Sequence, residues 1–70
     1  HKATLYVYDP KRVPIEQRLQ QQMVRNKPVF VGSERGFSIA ARANRGVGYA
    51  LASDLDEPES AELIAGLDSP

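Results

Sequence analysis

The sequence predicts an α+β domain: a small four-stranded, mainly antiparallel sheet with two helices, in the order β-α-β-β-β-α. Three observations carry this expectation. Residues Ala3 to Tyr8 alternate around β-forming side chains, as a half-buried strand does. Three further β-rich runs follow Pro28, joined by connections of about two to five residues that suit an antiparallel meander. Two other segments carry helix signals, one opening near Pro14 and one near Asp56.

In the first strand Leu5 and Val7 fall on one side and Thr4, Tyr6 and Tyr8 on the other, and Asp9-Pro10 ends it. Pro14 suits a first helical turn. Ile15, Leu19 and Met23, spaced by four, make a narrow apolar stripe on a Gln- and Arg-rich segment, which predicts a surface helix of about two to three turns. Asn26-Lys27-Pro28 breaks it, because the residue before a proline disfavours the α region.

Val29-Phe30-Val31 reads as the second strand and Gly32-Ser33-Glu34-Arg35-Gly36 as a turn. In the third strand Phe37, Ile39 and Ala41 alternate with Ser38, Ala40 and Arg42, and Asn44-Arg45-Gly46 makes the next turn. The fourth strand runs from about Val47 to Ser53, with Val47, Tyr49 and Leu51 on one face and Gly48, Ala50 and Ala52 on the other. The small-residue face is expected to lie under a helix, where close approach is possible. Asp56-Glu57-Pro58-Glu59 supplies an N-cap acid, a first-turn proline and a glutamate three residues after the cap. Ala61, Leu63, Ile64 and Leu67 are the expected apolar side of the helix that follows.

Seventy residues make one domain at most, and such a chain buries only about 60% of its unfolded surface. A deep catalytic cavity would compete with its one core. The chain opens at His1 and closes on Asp68-Ser69-Pro70, and both ends read as cuts from a larger protein. It contains no cysteine, which removes disulfides, thiol catalysis and thiolate metal sites. His1 is its only histidine, so Ser33, Ser38, Ser53 and Ser60 have no evident base. Asp54, Asp56, Glu57 and Glu59 form an acidic cluster, but they lack the later glycine and twelfth-position glutamate of a calcium loop. Helix capping accounts for them. The expectation is a non-catalytic domain without a metal or cofactor.

Charge is balanced overall, nine basic residues against nine acidic ones, but it is unevenly distributed. Up to Gly46 all nine bases face three acids, a net +6; beyond it six acids face no base, a net −6. The two halves can neutralise each other in the fold. Alternatively, Lys11, Arg12, Arg18, Arg25 and Lys27 around the first expected helix, with Arg35, Arg42 and Arg45 in the sheet region and Tyr6, Tyr8, Phe30 and Phe37 nearby, could serve a cytoplasmic nucleic-acid-binding module. That use is the secondary expectation. Four strands would also leave an exposed edge, through which two copies could pair.

Arg45-Gly46-Val47-Gly48-Tyr49-Ala50-Leu51-Ala52-Ser53-Asp54-Leu55, with the acidic helix start from Asp56 to Glu62, resembles the C-terminal region of transmembrane anti-sigma factors of proteobacteria. There a turn leads into a Gly-Tyr-Ala-Leu-x-x-Asp-Leu strand and a Glu-rich helix, and Leu5-Tyr6-Val7-Tyr8 is similar to the family's earlier strand. Members usually carry an aromatic residue in the strand before the turn, where this chain has Ala41 and Arg42. The resemblance implies a periplasmic sensory or protein-interaction domain of a single-pass inner-membrane protein. Its sigma-binding part would be cytoplasmic and outside these residues. Gly48, Tyr49, Ala50, Leu51, Asp54 and Asp56 are the candidate structural or interaction residues.

Overall fold

The structure, a computed structural model, describes residues 2–66. Its strands are β1 (Ala3–Tyr8), β2 (Gln20–Val24), β3 (Lys27–Glu34), β4 (Phe37–Asn44) and β5 (Val47–Ser53), and α1 (Glu57–Gly66) follows. They form one antiparallel sheet in the order β1-β5-β4-β3-β2. The α+β class holds, with five strands where four were expected and one α-helix among the described residues where two were expected.

The difference lies between Pro14 and Val24. A 3-10 turn at Ile15–Arg18 replaces the expected helix, Leu19 is already extended at φ −117 and ψ 163, and Gln20–Val24 pairs with β3. A short helix with one thin apolar stripe is marginal in water. The hairpin instead gives Gln20–Val24 a full ladder and sets Val24 against the core, while Met23 stays 64% exposed. Its turn is Arg25-Asn26, at φ 54 and 63. Positive φ at both central residues gives the twist that two-residue hairpins favour.

The same turn recurs at ten-residue spacing. Arg35 and Gly36 (φ 53 and 82) join β3 to β4, and Arg45 and Gly46 (φ 54 and 80) join β4 to β5. Because the β3–β4 turn is so tight, Gly32, Ser33 and Glu34 belong to β3, opposite Ile39, Ser38 and Phe37.

Alternation fixes the two faces. Val29 and Val31 of β3, Ala40 of β4 and Leu51 of β5 meet Ala61, Ile64 and Ala65 of α1 in the main buried cluster, with Val24 and Tyr49 packed at its margin. Small side chains at Ala40, Ala61 and Ala65 let the helix lie close to the sheet. Asp56 caps α1 as expected: its Oδ1 accepts from the Glu59 N–H at 2.9 Å. Leu63 is 51% exposed instead of forming part of the buried side, and Leu67 lies outside the described residues.

β1 and β2 sit at opposite edges, so residues 9–19 must cross the sheet. They cross on the face away from α1. Leu19 covers Gly32, where a Cβ would stand 2.6 Å from Leu19 Cδ2, and Tyr8 packs against Gly48. The crossing starts at Asp9, whose Oδ1 accepts from the Lys11 N–H at 3.0 Å and whose carbonyl accepts from Arg12 and Val13 at 3.0 and 2.9 Å.

Candidate functional site

β5 carries most of the candidate residues. Gly48, Ala50 and Leu51 are buried and Tyr49 is half-buried. Gly48 and Ala50 do not lie under α1, contrary to expectation. The helix packs on the Tyr49 and Leu51 side, while Gly48 and Ala50 pair with Tyr8 and Tyr6 of β1 on the opposite face. Alternation in β5 separates two faces, but the helix takes the one continuous with Val29, Val31 and Ala40, where the apolar volume is.

The two acids are exposed and engaged in backbone contacts. Asp54 Oδ1 accepts from the Lys2 N–H at 3.1 Å, and the Asp54 N–H donates to the Lys2 carbonyl at 3.1 Å. Asp56 caps α1. Ser53 and Ser60, both buried, hydrogen-bond to each other at 2.9 Å, which joins the end of β5 to the first turns of the helix.

The Lys2–Asp54 contact sets the polarity of β1. In an antiparallel ladder backbone groups point alternately toward and away from the partner. Thr4, Tyr6 and Tyr8 therefore direct their N–H and C=O groups to β5. Those of Ala3, Leu5 and Val7 point outward, and among the described residues no strand lies beyond β1. The strand Ala-Thr-Leu-Tyr-Val-Tyr has no charge. Leu5, Tyr6 and Val7 are 47%, 56% and 66% exposed. The half-buried strand read from alternation is thus exposed on both faces, because α1 lies over β3 and β4 and the crossing segment protects only Tyr8. Lys2, Thr4, Tyr6, Phe37 and Ala52 line a shallow depression beside it.

Tyr8 is the titratable group most altered by the fold. Burial of its ring, then the charge of Glu16 and a hydrogen bond from its hydroxyl to Glu16 Oε1 at 3.4 Å, push its pKa up to about 12. The hydrogen bond to Glu16 ties β1 to the crossing segment.

Basic side chains gather where α1 ends. Lys27 Nζ and Arg42 donate to the Ala65 carbonyl at 3.3 and 3.1 Å, and Arg25 meets Glu62 at 2.8 Å. Arg12 lies 3.8 Å from Asp9. The acids from Asp54 to Glu59 mark the other end of the helix, so charge segregates along its axis with the sign that complements the helix dipole. A depression of about 640 Å³ on Arg25, Leu55, Pro58, Glu59, Glu62 and Leu63 opens along α1. Among the described residues no group of three His, Cys, Asp or Glu side chains is placed to hold a metal ion, and no helix is long and apolar enough to cross a membrane.

No family model matches the chain, and no curated protein or solved structure matches it. The β1 edge is therefore the candidate site on geometry alone. It combines unused backbone groups, exposed apolar side chains and absence of charge.

Proposed function

We propose that this chain is a non-catalytic, extracytoplasmic sensory or protein-interaction domain of a membrane-bound anti-sigma factor, and that it makes its contacts through the β1 edge. The observation that carries the interaction reading is the uncharged β1 strand, with Leu5, Tyr6 and Val7 exposed and the outward backbone groups of Ala3, Leu5 and Val7 available for strand addition. The anti-sigma reading draws on the resemblance at Arg45–Leu55. Those residues form the last hairpin turn, β5 and the approach to α1, so the resembling segment is the support on which β1 lies. In this reading the sigma factor binds a cytoplasmic part of the parent protein, and the periplasmic domain controls its release through a membrane helix.

The test is made in cells carrying the parent gene and a reporter for its sigma factor. Removing the domain should change reporter output several-fold under envelope stress. Val7→Lys, which charges the exposed edge without entering the core, should reproduce part of that change. A reporter indifferent to loss of the whole domain would overturn the proposal.

A further inference from the structure

The basic part of the chain neutralises little of the acidic end. Among the described residues Asp56, Glu57 and Glu59 meet no basic side chain, and of the acids on α1 only Glu62 does, at Arg25. Lys27 and Arg42 donate to the Ala65 carbonyl, and Arg12 lies against Asp9. Asp56 uses one oxygen for the helix cap and Glu57 accepts from the Ser33 hydroxyl. The exposed Glu59 carboxylate has no partner among the described residues.

Glu59 and Glu62 also line the depression of about 640 Å³ along α1. Its apolar surface comes from Leu55, Pro58 and Leu63, and Arg25 supplies its one base. Pro58 and Glu62, like Glu59 and Leu63, are four residues apart and so lie on the same side of the helix. Leu63 is 51% exposed there, while Ala61, Ile64 and Ala65 form the buried side. Because Arg25 is held by Glu62 at 2.8 Å, the unneutralised charge of the lining is negative and belongs to Glu59.

That charge selects the class of occupant. Carboxylates repel nucleic acid and anionic lipid, both of which bind through Lys and Arg. The apolar surface beside them suits side chains rather than a bare cation. We propose that the depression along α1 docks a basic amphipathic helix of a protein partner, with apolar residues packed on Leu55, Pro58 and Leu63 and a Lys or Arg paired with Glu59. Leu55 precedes the first turn of α1 and Leu63 lies in its last. The apolar surface therefore follows most of a ten-residue helix, about 15 Å, which matches two to three turns of a partner with anchors at i, i+3 or i+4 and i+7. This surface lies beside the β2–β3 turn, at the edge of the sheet opposite β1, so either contact can fail without the other.

Fluorescence anisotropy with a labelled Leu/Lys peptide of about three helical turns, its leucines on one face, tests this. The peptide should bind saturably, and one of the same composition with its leucines dispersed around the helix should bind at least about tenfold more weakly, because it cannot place its anchors together. Glu59→Lys should weaken binding by at least about tenfold through like-charge repulsion and make a Leu/Glu peptide the better ligand. Glu34→Lys, the same change of charge on the face away from α1, should leave binding unchanged. Leu63→Ser should also weaken it, with the thermal unfolding midpoint preserved because the side chain is half exposed. Absence of saturable binding would overturn the proposal. Equal binding of the dispersed peptide, or equal losses from Glu59→Lys and Glu34→Lys, would overturn it by assigning the attraction to charge alone. Displacement of the peptide by single-stranded DNA would overturn it in favour of a nucleic-acid site.

Discussion

The ring of Tyr8 lies directly on Gly48, its cross-strand neighbour: a Cβ at Gly48 would stand 2.4 to 2.7 Å from three atoms of that ring. Glycine is needed here for space, not for backbone freedom. Gly48→Ala must push the ring off β5 and is expected to cost about 1–3 kcal/mol by overpacking, measured by urea unfolding. In a Tyr8→Ala background the same substitution should cost much less, because the clash is gone. Equal costs in both backgrounds would refute the contact as the cause.

The same tyrosine makes stability depend on alkaline pH. Its pKa is about 12 in the folded chain, against about 10 in an unfolded one. A raised value means that the unfolded chain loses the proton first. The stabilisation is fully present below about pH 10 and disappears as pH rises toward 12. Spectroscopic titration of the phenols should reveal one late component, absent in Tyr8→Phe. Glu16→Gln should lower that component only in part, since burial is the larger cause and remains.

The end of α1 is held by cations that its own sequence does not supply. No basic residue lies in its last turn; Lys27 and Arg42, from β3 and β4, donate to the Ala65 carbonyl instead. Lys27→Met keeps much of the apolar stem and removes the charge, and should cost about 0.3–1 kcal/mol at low salt. The loss should shrink as salt is added, because screening weakens charge–dipole attraction. A salt-independent loss would assign the effect to packing.

These contacts explain what could be read in advance and what could not. Asp56, Pro58 and Glu59 announce a helix start locally, and alternation from Phe37 to Ser53 announces two strands, so β4, β5 and α1 were legible. β2 was not. Gln20-Gln21-Gln22-Met23-Val24 contains one β-branched residue, and only pairing with β3 makes it a strand, while the i, i+4 spacing of Ile15, Leu19 and Met23 imitates a helix. The placement of Gly48 and Ala50 failed for a related reason. A strand's sequence distinguishes its two faces, but which face receives the helix depends on apolar volume in neighbouring strands. Of the candidate surface, the absence of charge in β1 was visible in its residues. Its exposure on both faces depends on how far α1 and the crossing segment reach.

The repeated turns offer a direct measure of local strain. Arg25, Arg35 and Arg45 all occupy the left-handed region, where a residue with a Cβ is about 1–2 kcal/mol worse than in the right-handed one. Asparagine tolerates this region better and is favoured at the first position of such turns. Arg35→Asn and Arg45→Asn should therefore each stabilise the chain by up to about 1 kcal/mol in urea unfolding. Arg25 differs because its guanidinium meets Glu62 at 2.8 Å. Arg25→Asn relieves the same strain but removes a surface ion pair worth at most about 1 kcal/mol, so its net effect should be close to zero. If all three substitutions proved equally stabilising, the Arg25–Glu62 pair would contribute nothing measurable. If none did, arginine would fit these turns without strain.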